Sequence, residues 1–169
     1  MHFRSFSTIA LFYLLILTTS GCHQLPNKSA LSQPPMEATQ AQKPQVNRSN
    51  NWWQVRHDEK LIEAKNKNVD VLLLGDSITH GWEKGGRENI WQQYYPGLTH
   101  FNLGFSGDRT EHVLWRIQHG SVDHLQAKLT ILMIGTNNTG HRMDPAKHTA
   151  LGVKAIIDAL QSKIPKYYC

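Results

Sequence analysis

The chain has 169 residues, enough for one domain and little more, with a net charge of +5 and two cysteines. Arg4, Lys28, Lys43 and Arg48 precede Trp52; from there on, 14 Lys and Arg stand against 12 Asp and Glu, a net of +2. That balance, with no basic stripe interleaved with aromatics, argues against a nucleic-acid surface; two cysteines argue against a disulfide scaffold, and the lack of CxxC or HExxH spacing against a zinc site.

Residues 1–21 read as a secretory signal: Arg4 in a short basic start, an apolar run from Ile9 to Leu17, then small polar residues. The run is about half of the ~20 residues that a membrane-spanning helix needs. Thr19-Ser20-Gly21-Cys22 resembles a bacterial lipobox, which implies cleavage before Cys22 and lipidation of that cysteine. His23 behind it favours the outer membrane of a Gram-negative envelope; the alternative is a periplasmic or secreted protein with an ordinary signal. With Cys22 acylated, Cys169 has no partner in the chain. Residues 22–51, rich in Gln, Pro, Asn and Ser with no apolar period, read as a flexible tether, and the folded domain is expected over 52–169.

Within that domain, Val55 to Asn66 suits a helix. Val69 to Leu74 is a continuous apolar run ending at Gly75, the pattern of a strand buried on both faces. Ile78 opens a helix or turn, and Thr99 to Leu103 is a second strand. Thr110 to His119 is helical, with Val113, Leu114 and Ile117 on one stripe. Leu129 to Ile134 is a third strand, and Pro145 opens a long helix with an apolar face of Ala146, Ala150, Val153, Ile156, Ile157 and Leu160. Trp82, Trp91 and Trp115 are taken as packing residues. The order β-α-β-α-β-α predicts an α/β fold, a parallel sheet with helices on both faces. In such sheets the functional site lies at the carboxyl ends of the strands.

All three strands run into a Gly-polar turn there: Gly75-Asp76-Ser77, Gly104-Phe105-Ser106-Gly107-Asp108 and Gly135-Thr136-Asn137-Asn138. None is a dinucleotide loop, a P-loop or a GxSxG elbow. Asp76 and Asp108 on separate loops are weak grounds for a metal site. Asp76 is expected to shape its turn by bonding backbone N–H groups, and Asp108 with Arg109 to cap the next helix.

Gly75-Asp76-Ser77, Gly107-Asp108 and Gly135-Thr136-Asn137, in that order, resemble the first three signature blocks of the SGNH hydrolases, also called GDSL-type esterases and lipases. The longer runs NLGFSGDRTEHVLWRI and LMIGTNN are similar to the branch of the platelet-activating-factor acetylhydrolase catalytic subunits and their bacterial relatives. The resemblance covers roughly residues 52–166 and implies a three-layer α/β/α, flavodoxin-like fold. It implies Ser77 as nucleophile, with its own backbone N–H, the Gly107 N–H and the Asn137 side-chain amide as oxyanion donors, and Asn138 as a lesser candidate. The substrate implied is a small acyl or acetyl ester, of a lipid or an acetylated carbohydrate, hydrolysed without metal or organic cofactor.

The family's base is a histidine in a later Asp-x-x-His block. Only 32 residues follow Asn137, and the chain holds no Asp-x-x-His. His141 and His148 stand in the wrong context, Asp144 to His148 has the wrong spacing, and His80 sits three residues past the nucleophile. The sequence therefore reads as C-terminally truncated, missing its last strands. The third strand is then expected as an apolar, unprotected edge. Two alternatives follow for the chain as it stands: an inactive remnant, or a tethered module that binds a sugar or acyl group.

Overall fold

A computed structural model describes residues 37–47 and 51–164. The signal reading, the Cys22 anchor, the tether up to residue 36 and Cys169 lie outside the described residues. The compact unit begins at Glu37 and runs through the C-terminal part of the chain.

Among the described residues six helices and three strands follow in the order α1 (Asn51–Ala64), β1 (Val71–Gly75), α2 (Ser77–His80), α3 (Arg87–Tyr94), β2 (His100–Gly104), α4 (Thr110–Gln118), β3 (Leu129–Met133), α5 (Thr136–Gly140) and α6 (Ala146–Lys163). Short 3-10 turns cover Gln40–Gln42 and Gly81–Glu83. The sheet is parallel with order β2-β1-β3, and Gly75 lies level with Gly104 on one side and Met133 on the other. That register brings the three loops that follow the strands to a single edge.

Side chains alternate across the sheet. Leu72, Leu74, Phe101 and Leu103 enter the main core with Trp53, Val113, Ile117, Ile156 and Leu160, while Val71 and Leu73 meet Trp91 on the opposite face. The central strand β1 is buried throughout, which its unbroken apolar run requires. The edge strand β3 differs: Leu129, Ile131 and Met133 are 53%, 45% and 49% exposed. Together with Leu73, Ile78, Trp82, Trp91 and Tyr94 of the same face, Ile131 and Met133 line an apolar groove of about 370 Å³. The expected apolar edge is present. Among the described residues no helix is long and apolar enough to cross a membrane.

Three expectations need correction. The tether does not extend to residue 51, because Glu37–Asn47 packs on the domain. Ala41 is buried, its carbonyl accepts from Thr110 Oγ1 at 2.8 Å, and the Gln45 N–H reaches the Glu111 carbonyl at 3.1 Å. Val46 also packs against the main core, and the Asn47 side chain hydrogen-bonds Asp108; with so few apolar side chains, a polar composition does not reveal the docking. The first helix starts at Asn51 rather than Val55 and buries Trp53 completely. The inner face of α6 is Gly152, Ile156 and Leu160; Ala146, Ala150 and Ile157 are exposed. Gly152 selects that face because the Thr110 side chain and Ala41 carbonyl approach its backbone too closely for any side chain.

Candidate active site

Gly75 ends β1, and Asp76 follows with its carboxylate accepting from the Ile78 N–H at 2.9 Å. This is the bond expected of Asp76, and it fixes the first turn of α2. Ser77 is exposed at the start of that turn. The other carboxylate oxygen of Asp76 is buried with no hydrogen-bond partner among the described residues.

The loop after β2 is held tightly against α2. Asn102 donates its amide to the Thr79 carbonyl at 2.8 Å and accepts from the Gly104 N–H at 2.7 Å. Gly104 lets this happen: a Cβ there would lie 2.2 Å from the His80 backbone N. Gly107 has a φ of 81°, a left-handed conformation suited to glycine, and open space lies where a side chain would project. His80, the last residue of α2, turns its Nδ1 toward Ser106 Oγ at 3.0 Å.

The expectation that Asp108 caps α4 is not met. Asp108 is fully buried; its Oδ1 accepts from Trp53 Nε1 at 2.6 Å, and its Oδ2 accepts from both Nε and Nη2 of Arg116 at 3.0 and 2.8 Å. Burial pushes its carboxyl up to about 6 against the opposing pull of Arg116. Arg109 is the residue that precedes α4, its N–H donating to His112 Nδ1 at 3.0 Å. The Asp108–Arg116–Trp53 cluster ties the second loop to α1 and α4, which places the Gly107–Asp108 backbone.

The third loop closes on the second. Asn137, 6% exposed, donates its side-chain amide to the Asp108 carbonyl at 2.8 Å. An amide carries two N–H bonds, so one is committed and orients the other. Asn138 is spent on structure: its side chain accepts from the Thr110 N–H at 3.0 Å and donates to Asp144 at 3.0 Å. Arg142 reaches from beyond α5 to Asp144 and to the buried Glu111, fastening this loop to α4.

Ser77, Gly107 and Asn137 thus occupy three consecutive loops at one sheet edge, linked by Asn102–Thr79 and Asn137–Asp108. His141 follows α5 and His148 lies in α6, neither of them on the turn that carries Ser77. Of the fastening residues, Asn102 and Arg116 lie in the run NLGFSGDRTEHVLWRI but outside its signature block, and Trp53 carries no motif signal. Only the polar Asn102 inside an apolar strand hinted at its use. Among the described residues no three metal-ligating side chains gather to hold an ion.

A parallel sheet with GDS, GD and GTN on successive loops defines the SGNH hydrolase fold. The chain belongs to the GDSL-like Lipase/Acylhydrolase family, whose profile matches residues 73–167. It is 32% identical over 114 residues to platelet-activating factor acetylhydrolase IB subunit alpha1 of Bos taurus, covering 68% of this chain and 47% of that one. Subunit alpha2 of Rattus norvegicus is 31% identical over the same shares of each chain. The chain therefore spans about half the length of the curated relatives it matches. A solved structure from Streptococcus pneumonia superposes with a TM-score of 0.50 at 21% identity, covering 68% of this chain and 53% of that one.

Proposed function

We propose that this chain carries the nucleophile and oxyanion half of a serine esterase acting on a small acyl or acetyl ester, of a lipid or an acetylated carbohydrate. Ser77 attacks the carbonyl carbon, and the developing oxyanion meets the Ser77 and Gly107 N–H groups and the free amide hydrogen of Asn137. Preorganised donors of this kind are worth about 2.7–4 kcal/mol each in the transition state. The observation that carries this reading is the Asn137–Asp108 bond, which joins the two donor loops at the edge where Ser77 stands.

The 169 residues contain no Asp-x-x-His, so the base that relieves Ser77 of its proton is not among them. Loss of the histidine from a serine triad costs on the order of 10⁶ in kcat. These residues alone are then an inactive remnant of the reaction at Ser77. The test is hydrolysis of p-nitrophenyl acetate by the chain and by Ser77→Ala. Equal rates are expected, and a Ser77-dependent rate well above background contradicts the missing base.

We further propose that Cys22 is acylated and anchors the protein to the outer membrane. Label from radioactive palmitate supports this; a Cys22→Ala variant that stays equally membrane-bound contradicts it.

A further inference from the structure

His80 and Ser106 lie 26 positions apart, and neither has a role in the reaction proposed for Ser77. Their contact has the geometry of a nucleophile and its base. Ser106 Oγ is 3.0 Å from His80 Nδ1, inside the 2.6–3.2 Å that such pairs show. The Ser106 backbone N–H also points to this nitrogen, at 3.4 Å. A backbone N–H can only donate, so Nδ1 is the unprotonated nitrogen and the ring proton sits on Nε2. Nε2 faces Glu83 Oε2 at 3.9 Å. Glu83 is itself anchored by Arg56 at 2.9 Å and Lys60 at 3.0 Å. The imidazole is further held by Trp52, stacked at 5.8 Å between ring centroids. Burial first, then the nearby Arg56, hold the His80 pKa below its ordinary value, so the ring is neutral and able to accept a proton at pH 7. Burial alone would raise the Glu83 pKa, but hydrogen bonds from Arg56 and Lys60 outweigh it and keep the carboxylate ionised.

We propose that Ser106 is a second nucleophile of this chain, with His80 as its base and Glu83, 3.9 Å from Nε2, as the carboxylate that stabilises the imidazolium as it forms, acting on small activated esters. Ser106 is half-buried rather than sealed. The next residue, Gly107, supplies an N–H where nucleophile elbows place an oxyanion donor. In the forward step the Ser106 Oγ–carbon bond forms, the Oγ proton passes to His80 Nδ1, and the carbonyl electron pair moves onto the oxygen facing Gly107. Collapse breaks the bond to the leaving alcohol or phenol, which takes the proton back from Nδ1. Water then attacks the acyl-Ser106; its proton passes through Nδ1 to Ser106 Oγ, and the free acid departs. Ser106 has its own base and does not need Ser77, although the two serines share the Gly107 N–H and use it in turn.

A fluorophosphonate probe tests the proposal on the full chain. Trypsin places Ser77 on the peptide 68–84 and Ser106 on the peptide 88–109, so each serine is scored separately. The expected result is an adduct on peptide 88–109 at Ser106, formed at least about 100-fold more slowly in His80→Gln, the loss typical of a missing general base. The amide introduced by His80→Gln can still accept from Ser106 and keep the loops tied, so a purely structural contact would leave the labelling rate unchanged. His80→Phe, which preserves the stack on Trp52, should lose the adduct equally. No adduct at Ser106 in the wild-type chain, or an adduct whose rate ignores both substitutions, overturns the proposal. The peptide 68–84 reports on Ser77 alone, so that reading stands or falls separately.

Discussion

The side-chain amide of Asn137 is bonded to the backbone carbonyl of Asp108 at 2.8 Å, joining the loop after β3 to the loop after β2. This bond is made by the residue proposed above as an oxyanion donor, and it leaves one amide hydrogen for that purpose. In a protein completed with the family's base, Asn137→Ala should lower kcat by about 10²–10³, the cost of one oxyanion donor. KM should move far less. Steady-state kinetics on p-nitrophenyl acetate decide it, and a variant that changes only KM would assign Asn137 to substrate binding.

Behind that bond stands the Asp108–Arg116 pair, both side chains fully buried. Removing one partner leaves the other charge uncompensated. Arg116→Met should therefore cost about 3–5 kcal/mol of stability, read as a lowered urea midpoint at unchanged slope. The double variant Arg116→Met with Asp108→Leu should recover part of that loss.

Gly104 allows β2 to touch α2. Its Cβ would meet the His80 and Thr79 backbone at 2.2 and 2.6 Å, and backbone cannot rotate away. Gly104→Ala should destabilise by at least the roughly 1–3 kcal/mol typical of overpacking. Thermal unfolding measures this; a variant of wild-type stability would show that α2 moves freely against the sheet.

The buried histidines predict an acid-side loss of stability. His57 packs between Trp53 and Trp115 at centroid distances of 6.0 and 5.2 Å. Burial first, then Arg116, lower its pKa to about 4. His112 is likewise lowered to about 4, chiefly by burial. Both rings stay neutral in the folded state while the unfolded chain takes up protons below its ordinary histidine value of 6.5. Their stabilising contribution is therefore complete above that value and is lost as pH falls toward about 4. Each group contributes up to about 1.4 kcal/mol per pH unit in that window. Denaturant midpoints between roughly pH 7 and 4.5 should show the slope, and His57→Phe should flatten it.

The elements that carry the site were legible because each has a strong local signature. The apolar runs before Gly75, Gly104 and Gly135 marked the three strands to within about two residues, and Val113, Leu114 and Ile117 marked the buried face of α4. What stayed hidden depends on distant partners. Asp108 looks like a helix cap in the sequence, but Trp53, 55 positions away, and Arg116 draw it into the core. The α6 face was misread because Gly152, not a larger residue, sets the contact. Segment 37–47 docks through backbone bonds and a few side chains, Ala41, Val46 and Asn47, too few to mark its polar composition. The α3 helix, Arg87–Tyr94, buries only Trp91 and so shows no apolar period.

The most direct test of the account is to supply the missing base. The C-terminal part of a platelet-activating-factor acetylhydrolase subunit, with its Asp-x-x-His block, would be joined after Ile164, and p-nitrophenyl acetate hydrolysis followed with Ser77 intact or replaced by alanine. The completed protein should hydrolyse the ester well above the rate of the 169 residues alone, and Ser77→Ala should return it to that lower rate. A rate in the folded chimera that Ser77→Ala leaves unchanged would contradict the assignment of Ser77.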